Sequence, residues 1–303
     1  MKHYKVKHIA RQAGMTLIEL TVVLLVLIGL AGLMLPYVGS FVEKTADSTG
    51  SANLAQLNSA MGRFITEKNR VPHHLDSLIN HADATAAATG SCVGATAGDV
   101  FCGLANPAAF EAVTYEVGTD DIALASLEKA NLTMYLNNNP NAATKTFSTG
   151  TGMLYIPPVV GQTTRFARLP SAPATRQLLS RVLGGAGMDY YPECYDYIAM
   201  GIGDQAELVG NTITSSPVHY PKDASTGPTE RYGHYIAIFQ VDRANTGDVS
   251  MDGGNYTHTC STITEPAKFV GTVLNTADIT NGNNGLVGVK NALETAYINK
   301  VSN

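Results

Sequence analysis

The chain has 303 residues, with 20 Lys and Arg against 25 Asp and Glu, and its formal net charge is −5. This balance argues against a nucleic-acid partner, because phosphate binding depends on clustered Lys and Arg side chains. The length allows one large domain or two small ones, and a composition with 29 Gly and no Trp suits a domain rich in surface loops.

The N-terminal region combines a basic segment with a long apolar one. Residues 1–14 contain four basic residues and no acidic residue, whereas the segment from Met15 to Leu35 carries a single charge, Glu19. An α-helix needs about 20 apolar residues to cross a bilayer. By the positive-inside rule, the basic end stays in the cytoplasm and the rest of the chain is exported. The sequence therefore predicts a membrane-spanning helix followed by an exported domain.

The junction between these two segments carries a short motif. Residues 14–20 read GMTLIEL, which resembles the class III signal of type IV prepilins and type II secretion pseudopilins. The resemblance implies that a prepilin peptidase cleaves between Gly14 and Met15 and methylates the new N-terminus at Met15. It also implies that Glu19, the fifth residue of the mature chain, and the helix-bending Pro36 serve assembly.

The same resemblance implies an α+β fold. A long N-terminal helix is packed on a mixed globular domain with an antiparallel β-sheet, in the ladle shape of pilins. We expect residues 1–14 to be a cleaved cytoplasmic leader and residues 15–35 to be the membrane-spanning half of the helix. The amphipathic half of the helix is expected at 36–70, and a periplasmic or extracellular domain at 71–303.

The second half of the long helix is predicted from its apolar face. Four apolar residues recur there at helical spacing, namely Leu54, Leu57, Met61 and Phe64. We expect the helix to continue to about Asn69, with a kink or local melting at Pro36, although membrane helices also tolerate proline. The run from Phe64 to Pro72 is similar to the aromatic, Asn-Gly-Arg-Tyr-Pro pattern with which many pseudopilins and short pilins leave their first helix.

The remaining chain alternates β-rich segments with helix signals. Strands are predicted at 153–160, 195–201, 235–241 and 268–274, where β-branched and aromatic residues are bounded by Gly, Pro, Asn and Asp. Helices are predicted at 121–132 and 171–183 from their capping residues, and a third helix, at 287–301, is expected to close the chain. Long loops rich in Thr, Asn and Gly are expected at 137–152, 210–227 and 275–285.

All four cysteines lie in the predicted exported part, where disulfides persist. They are Cys92, Cys102, Cys194 and Cys260. Four cysteines allow three pairings. We favour Cys92 with Cys102 and Cys194 with Cys260, because a short local loop closes independently of the second pair. Free thiols or a metal site are the alternative, but the CxxC spacing of zinc sites does not occur.

One loop after a predicted strand is rich in oxygen ligands. Its candidate ligands for calcium are Asp242, Asn245, Asp248 and Asp252. Calcium takes six to eight oxygens on a flexible loop, and the resemblance adds that major pseudopilins bind calcium in a late loop. The spacing does not follow the EF-hand pattern, so an ordinary Asx-rich turn remains the alternative.

The sequence motifs of common enzymes do not occur, including the serine elbow, the Walker loop and the HExxH helix. The resemblance implies a structural subunit of a type IV pilus, minor or adhesive, and we do not expect an enzyme. The implied partners are other pilin subunits, the prepilin peptidase, the assembly platform and the inner membrane. The subunit would wait in that membrane with its C-terminal domain in the periplasm, and then join an extracellular pilus or a periplasmic pseudopilus. A pseudopilin of type II secretion and a membrane-anchored periplasmic enzyme or binding protein are the alternatives.

Overall fold

The computed structural model describes residues 17–79, 100, 104, 107–137, 152–155, 160–170, 194–219, 232–243, 249–251, 254–256, 264–275 and 286–287. The chain contains two compact units, Met1–Asp47 and Ser48–Asn303, each of which is described by itself. The elements in chain order are α1 (Leu17–Lys68), β1 (Leu75–Ser77), β2 (Glu111–Glu116), α2 (Asp121–Lys129), β3 (Met134–Asn137), β4 (Gly152–Tyr155), β5 (Thr163–Arg168), β6 (Tyr195–Gly201), β7 (Ile236–Asp242), β8 (Val249–Met251), β9 (Gly254–Tyr256), β10 (Lys268–Asn275) and β11 (Leu286–Val287).

The first part of α1 is apolar and wholly exposed. The window Leu17–Met34 has a mean hydropathy of 2.6 and contains no buried residue. It is long and apolar enough to cross a membrane. The predicted apolar N-terminal helix is therefore present, with a composition compatible with a membrane anchor or a signal sequence.

The helix continues without interruption through Pro36. The expectation of local melting at this residue is wrong, because a proline removes a single ladder bond and the turns on both sides keep theirs. A bend of the helix axis at Pro36 stays a prediction. The helix ends at Lys68, and Asn69 follows with a φ of 52°. Asn tolerates this left-handed conformation, which commonly ends helices, and the predicted end near Asn69 is confirmed.

The second part of α1 buries the predicted apolar face. Leu57, Met61 and Phe64 are almost completely buried, and Leu54 is buried as well. Polar groups fix the same helix to β10: Asn58 Oδ1 accepts hydrogen bonds from Thr272 N at 2.7 Å and from Thr272 Oγ1 at 2.9 Å. The end of α1 is thus part of the core of the globular unit.

In the described part of the chain, nine strands form one sheet, which is antiparallel except between β1 and β3. The order on its main path is β11, β10, β7, β6, β1, β3 and β4. One edge of β6 pairs with β7, and the opposite edge pairs with two strands. On that edge Met200 and Gly201 pair with β1, while Ile198 and Ala199 pair with β5. Strand β5 also pairs with β2, and β8 with β9 forms a separate hairpin. The predicted antiparallel α+β arrangement is therefore present, with one parallel pair added.

Both faces of the sheet are buried. Along β7, Ala237 and Phe239 pack in the cluster that contains the α1 residues, whereas Ile236 and Ile238 pack in a second cluster. Successive side chains of a strand point to opposite faces, so the two clusters lie on opposite sides. Leu124 and Leu127 of α2 belong to the α1 side. The near-continuous apolar runs of β6 and β7 follow from this double burial.

The other predicted elements have mixed outcomes. The prediction for β6 is confirmed at both ends, and those for β7 and β10 are confirmed within one residue. The strand expected at 153–160 is β4, with residues 156–159 outside the described part. The helix expected at 121–132 ends at Lys129. The helix expected from Val287 is wrong at its start, because Val287 pairs in β11, and the rest of it lies outside the described residues, as does 171–183.

The early end of α2 has a local cause. Leu132 N donates to Leu127 O at 2.9 Å and Asn131 N donates to Glu128 O at 2.8 Å, while Asn131 has a φ of 62°. These two bonds form a Schellman motif, which satisfies carbonyls at the end of a helix. Asn131 takes the place that Gly more often fills.

Candidate functional site

The residues predicted for processing and assembly fall at the start of α1. Gly14 and Met15 lie outside the described residues. Glu19 is exposed in the first described turns, and it is the one charged residue between Leu17 and Met34. A carboxylate in an apolar segment of spanning length is costly, so it indicates a functional role. The backbone of Pro36 is helical, as described above.

The exit of α1 is joined to the loop after β6 by an ion pair, which we call the exit clamp (Arg70, His73 and Glu207). The Arg70 guanidinium binds both carboxylate oxygens of Glu207. Glu207 Oε2 also accepts the His73 backbone N–H at 3.1 Å, and the Glu207 N–H donates to His73 O at 3.0 Å. The hydrogen bond from Arg70 holds the pKa of Glu207 below its ordinary value. Such bidentate pairs are geometrically specific and stronger than neutral hydrogen bonds.

Two further contacts lie beside the exit clamp, one with an aromatic ring and one from a side chain of α1. The Arg70 guanidinium lies 5.6 Å from the centre of the Phe64 ring, within range of a cation–π interaction. The residue before Phe64 makes a further contact, because Arg63 Nη2 donates to Thr212 O at 3.2 Å. Burial, followed by the positive charge of Arg70, lowers the pKa of His73. The last turns of α1 are therefore fixed to the domain by both packing and charge.

A second polar cluster lies beside β1. The Asp76 carboxyl is fully buried, and its Oδ2 accepts a hydrogen bond from the Tyr232 hydroxyl at 2.7 Å. Among the described residues, Oδ1 has no hydrogen-bond partner. Burial raises the pKa of Asp76 to about 7. Around neutral pH, this acid in the centre of the sheet therefore exists in both the protonated and the ionised form.

Ser216 and His234 lie close to that cluster. Ser216 Oγ is 3.0 Å from His234 Nδ1 and donates to Ile202 O at 2.5 Å. Burial lowers the pKa of His234, and its ring lies 5.3 Å from that of Tyr232. A serine whose proton is directed at a carbonyl is not activated by the neighbouring imidazole. The pair therefore fixes the loop before β7 and is not a catalytic dyad.

A buried ion network joins β2, β5 and β6. Asp196 Oδ1 accepts from Arg168 Nη1 at 2.8 Å, and Asp196 Oδ2 accepts from the Tyr115 hydroxyl at 2.8 Å. Arg168 Nε donates to Glu111 Oε1 at 2.9 Å, and Arg243 lies 3.9 Å from Asp196. Burial raises the pKa of Tyr115 well above its ordinary value. Every charge in the network has an opposite partner, as expected of a structural network.

The candidate calcium loop is described at one of its four ligands. Asp242 ends β7, and its Oδ2 accepts the backbone N–H of Glu265 at 2.6 Å. Burial raises the pKa of Asp242, although that hydrogen bond opposes the shift. Asn245, Asp248 and Asp252 lie outside the described residues. Within the described part, there is no group of three His, Cys, Asp or Glu that could hold a metal ion. The described carboxylate thus braces the segment before β10.

The cysteines are described only at Cys194, which directly precedes β6 and is disulfide-bonded. Cys92, Cys102 and Cys260 lie outside the described residues, so the pairing stays a prediction.

A non-reducing peptide map of the protein is expected to link Cys194 with Cys260 and Cys92 with Cys102. Removing either bridge by a double Cys→Ser change should lower the free energy of unfolding by about 2 to 5 kcal/mol, because a crosslink restricts the unfolded chain. The single change Ser59→Ala, at an exposed position of α1, is the control for the denaturation assay. A link from Cys194 to Cys92 or Cys102 would contradict the predicted pairing.

We found no match to this chain among protein-family models, curated proteins or solved structures.

Proposed function

We propose that this chain is a structural subunit of the type IV pilin class, most closely a minor or adhesive pilin, with a pilin-like ladle fold. The subunit is held in the inner membrane by the apolar part of α1, with its globular domain in the periplasm. It is then drawn into a filament with other pilin subunits by an assembly platform. In this role it is a building block and not an enzyme.

One observation carries the proposal: α1 is a single helix with two different surfaces. Its first part is apolar and exposed around its circumference, and its last turns bury one face in a folded domain. A simple anchor needs the first property alone. An uninterrupted helix that is also part of a core suits a subunit that packs beside identical helices while carrying a domain.

The exit clamp and the motif at residues 14–20 support the proposal. Arg70 and Glu207 tie the end of α1 to the loop after β6, as a helix that carries a folded domain requires. Glu19 lies in an exposed apolar surface, where a charged partner on a neighbouring subunit would neutralise it. The chain is also larger than typical major pilins, which favours a minor subunit.

Processing tests the proposal. Mass spectrometry of protein from cells that contain a prepilin peptidase should find the N-terminus at Met15, carrying an added methyl group. The control is the same chain in cells without that peptidase, where residues 1–14 should be retained.

Two other outcomes would contradict the proposal. Met1 retained in assembled material would exclude prepilin-type processing. Cleavage after the apolar segment, near residue 35, would identify that segment as a removable signal sequence.

A further inference from the structure

Asp76 occupies the centre of the sheet. In β1 it pairs with Gly201 of β6 on one side and with Leu136 of β3 on the other. Its side chain is fully buried, with one oxygen bound by Tyr232 and, among the described residues, no hydrogen-bond partner for the other. Desolvating a carboxylate without pairing it costs far more than desolvating the neutral acid. The position therefore favours a protonated carboxyl.

The groups that face Asp76 among the described residues do not supply a compensating positive charge. Among the described residues, the charge that acts on this carboxyl is that of Asp204, an exposed acid after β6, and it raises the pKa further. Tyr232 donates a hydrogen bond, which opposes the shift. The His234 ring lies tilted against the Tyr232 ring, with the ring centres 5.3 Å apart, and burial lowers the pKa of His234, which disfavours its charged form.

Tyr232 is held in place by the backbone of β6. A Cβ atom added to Gly201 would lie 1.8 Å from the Tyr232 hydroxyl oxygen. The hydroxyl therefore occupies the space of the missing side chain, beside the residue that pairs with Asp76. The Tyr232 hydroxyl is therefore confined between the backbone of Gly201 and the Asp76 carboxyl.

We propose that Asp76, Tyr232 and Gly201 form a proton-dependent latch, which holds β1 against β6 while the Asp76 carboxyl is neutral and weakens when that carboxyl ionises. This Asp76 latch is independent of the proposed function. The latch stabilises β1, the strand that follows α1. The protonation state of Asp76 therefore sets how stably β1 is paired in the sheet. The device makes the exported domain more stable in acidic surroundings than in neutral ones.

The sign of the pH effect follows from linkage. The pKa of Asp76 is about 7 in the folded chain and has its ordinary value, near 4, in the unfolded chain. Between these values the folded state binds the additional proton, so stability is fully present below about pH 4 and is lost as the pH rises towards about 7. A carboxylate paired with a cation would show the opposite slope.

The test uses the full chain in a non-ionic detergent. Chemical unfolding is measured from pH 4 to 8 for the wild type and for Asp76→Asn, which cannot ionise. Between about pH 4 and pH 7, the ratio of wild-type to variant folding constants should fall by up to ~10-fold for each pH unit, since one proton is linked. A constant or rising ratio would overturn the latch.

A second measurement does not depend on the stability of that variant. The ¹³C resonance of the Asp76 carboxyl should titrate near pH 7 in the wild type. In Tyr232→Phe the midpoint should move to higher pH, because the lost hydrogen bond favoured the ionised form. In Asp204→Asn it should move to lower pH. A midpoint near 4, or one unchanged in Tyr232→Phe, would refute the proposal.

Discussion

Under the proposed function, replacing Glu19 with alanine is expected to lower the amount of this subunit in filaments about 100-fold or more, while the proposed leader cleavage and membrane insertion stay intact. In a filament, Glu19 is proposed to pair with the positive N-terminus at Met15 of a neighbouring subunit. Removing one member of a buried ion pair leaves an uncompensated charge, at a cost of about 3 to 5 kcal/mol. Each 1.4 kcal/mol corresponds to about a tenfold change in an equilibrium constant. Immunoblots of sheared filaments, normalised to membrane-bound subunit, measure the effect.

Thr21→Ala is the matched control for this change. Thr21 is exposed in the same part of α1, and its hydroxyl donates to Ile18 O within the helix. Because threonine is uncharged, it cannot form an ion pair with a neighbouring subunit. This variant should be incorporated at the wild-type level. If Glu19→Ala and Thr21→Ala are incorporated at the same level, the proposed role of Glu19 is wrong, even if the chain is cleaved between Gly14 and Met15.

The second large effect is expected from Phe64→Ala in a soluble version of the chain that lacks residues 1–40. Phe64 is buried in the core, and its ring also lies against Arg70 of the exit clamp. Deleting a buried aromatic ring leaves a cavity and costs about 3 to 5 kcal/mol. Urea denaturation should report a loss of this size in the free energy of unfolding.

Gln56→Ala controls for the substitution itself, because Gln56 is exposed on the same helix and alanine favours helix. Its effect should stay within about 0.5 kcal/mol. A loss below about 1 kcal/mol for Phe64→Ala would mean that the end of α1 is not part of the core.

The elements predicted best were those with double burial or strict periodicity. β6, β7 and β10 are apolar runs bounded by turn residues, and the α1 face repeats at helical spacing. Strand β2 was not predicted, although Val113 and Tyr115 alternate with exposed residues in the pattern of a half-buried strand. The end of α2 could also have been predicted, because Asn131 can adopt the left-handed conformation that commonly ends helices.

Other features were beyond the reach of sequence patterns. β1 has three residues and exists because β3 and β6 pair with it. Arg70 stands in a motif that was recognised, but its partner Glu207 is 137 residues away. Asp76 and Tyr232 are 156 residues apart. Local pattern contains no information on such contacts, which the sheet topology alone brings together.

The bonds between Asn58 and Thr272 have a consequence for synthesis and export. They join the first helix to a strand that is translated 214 residues later, and the same strand places Leu274 in the α1 core. The ribosome therefore releases the apolar face of α1 long before the strand that helps to cover it exists. Such distant contacts slow folding and leave hydrophobic surface open meanwhile. The apolar face of α1 is therefore prone to aggregation in the nascent chain until β10 has been made.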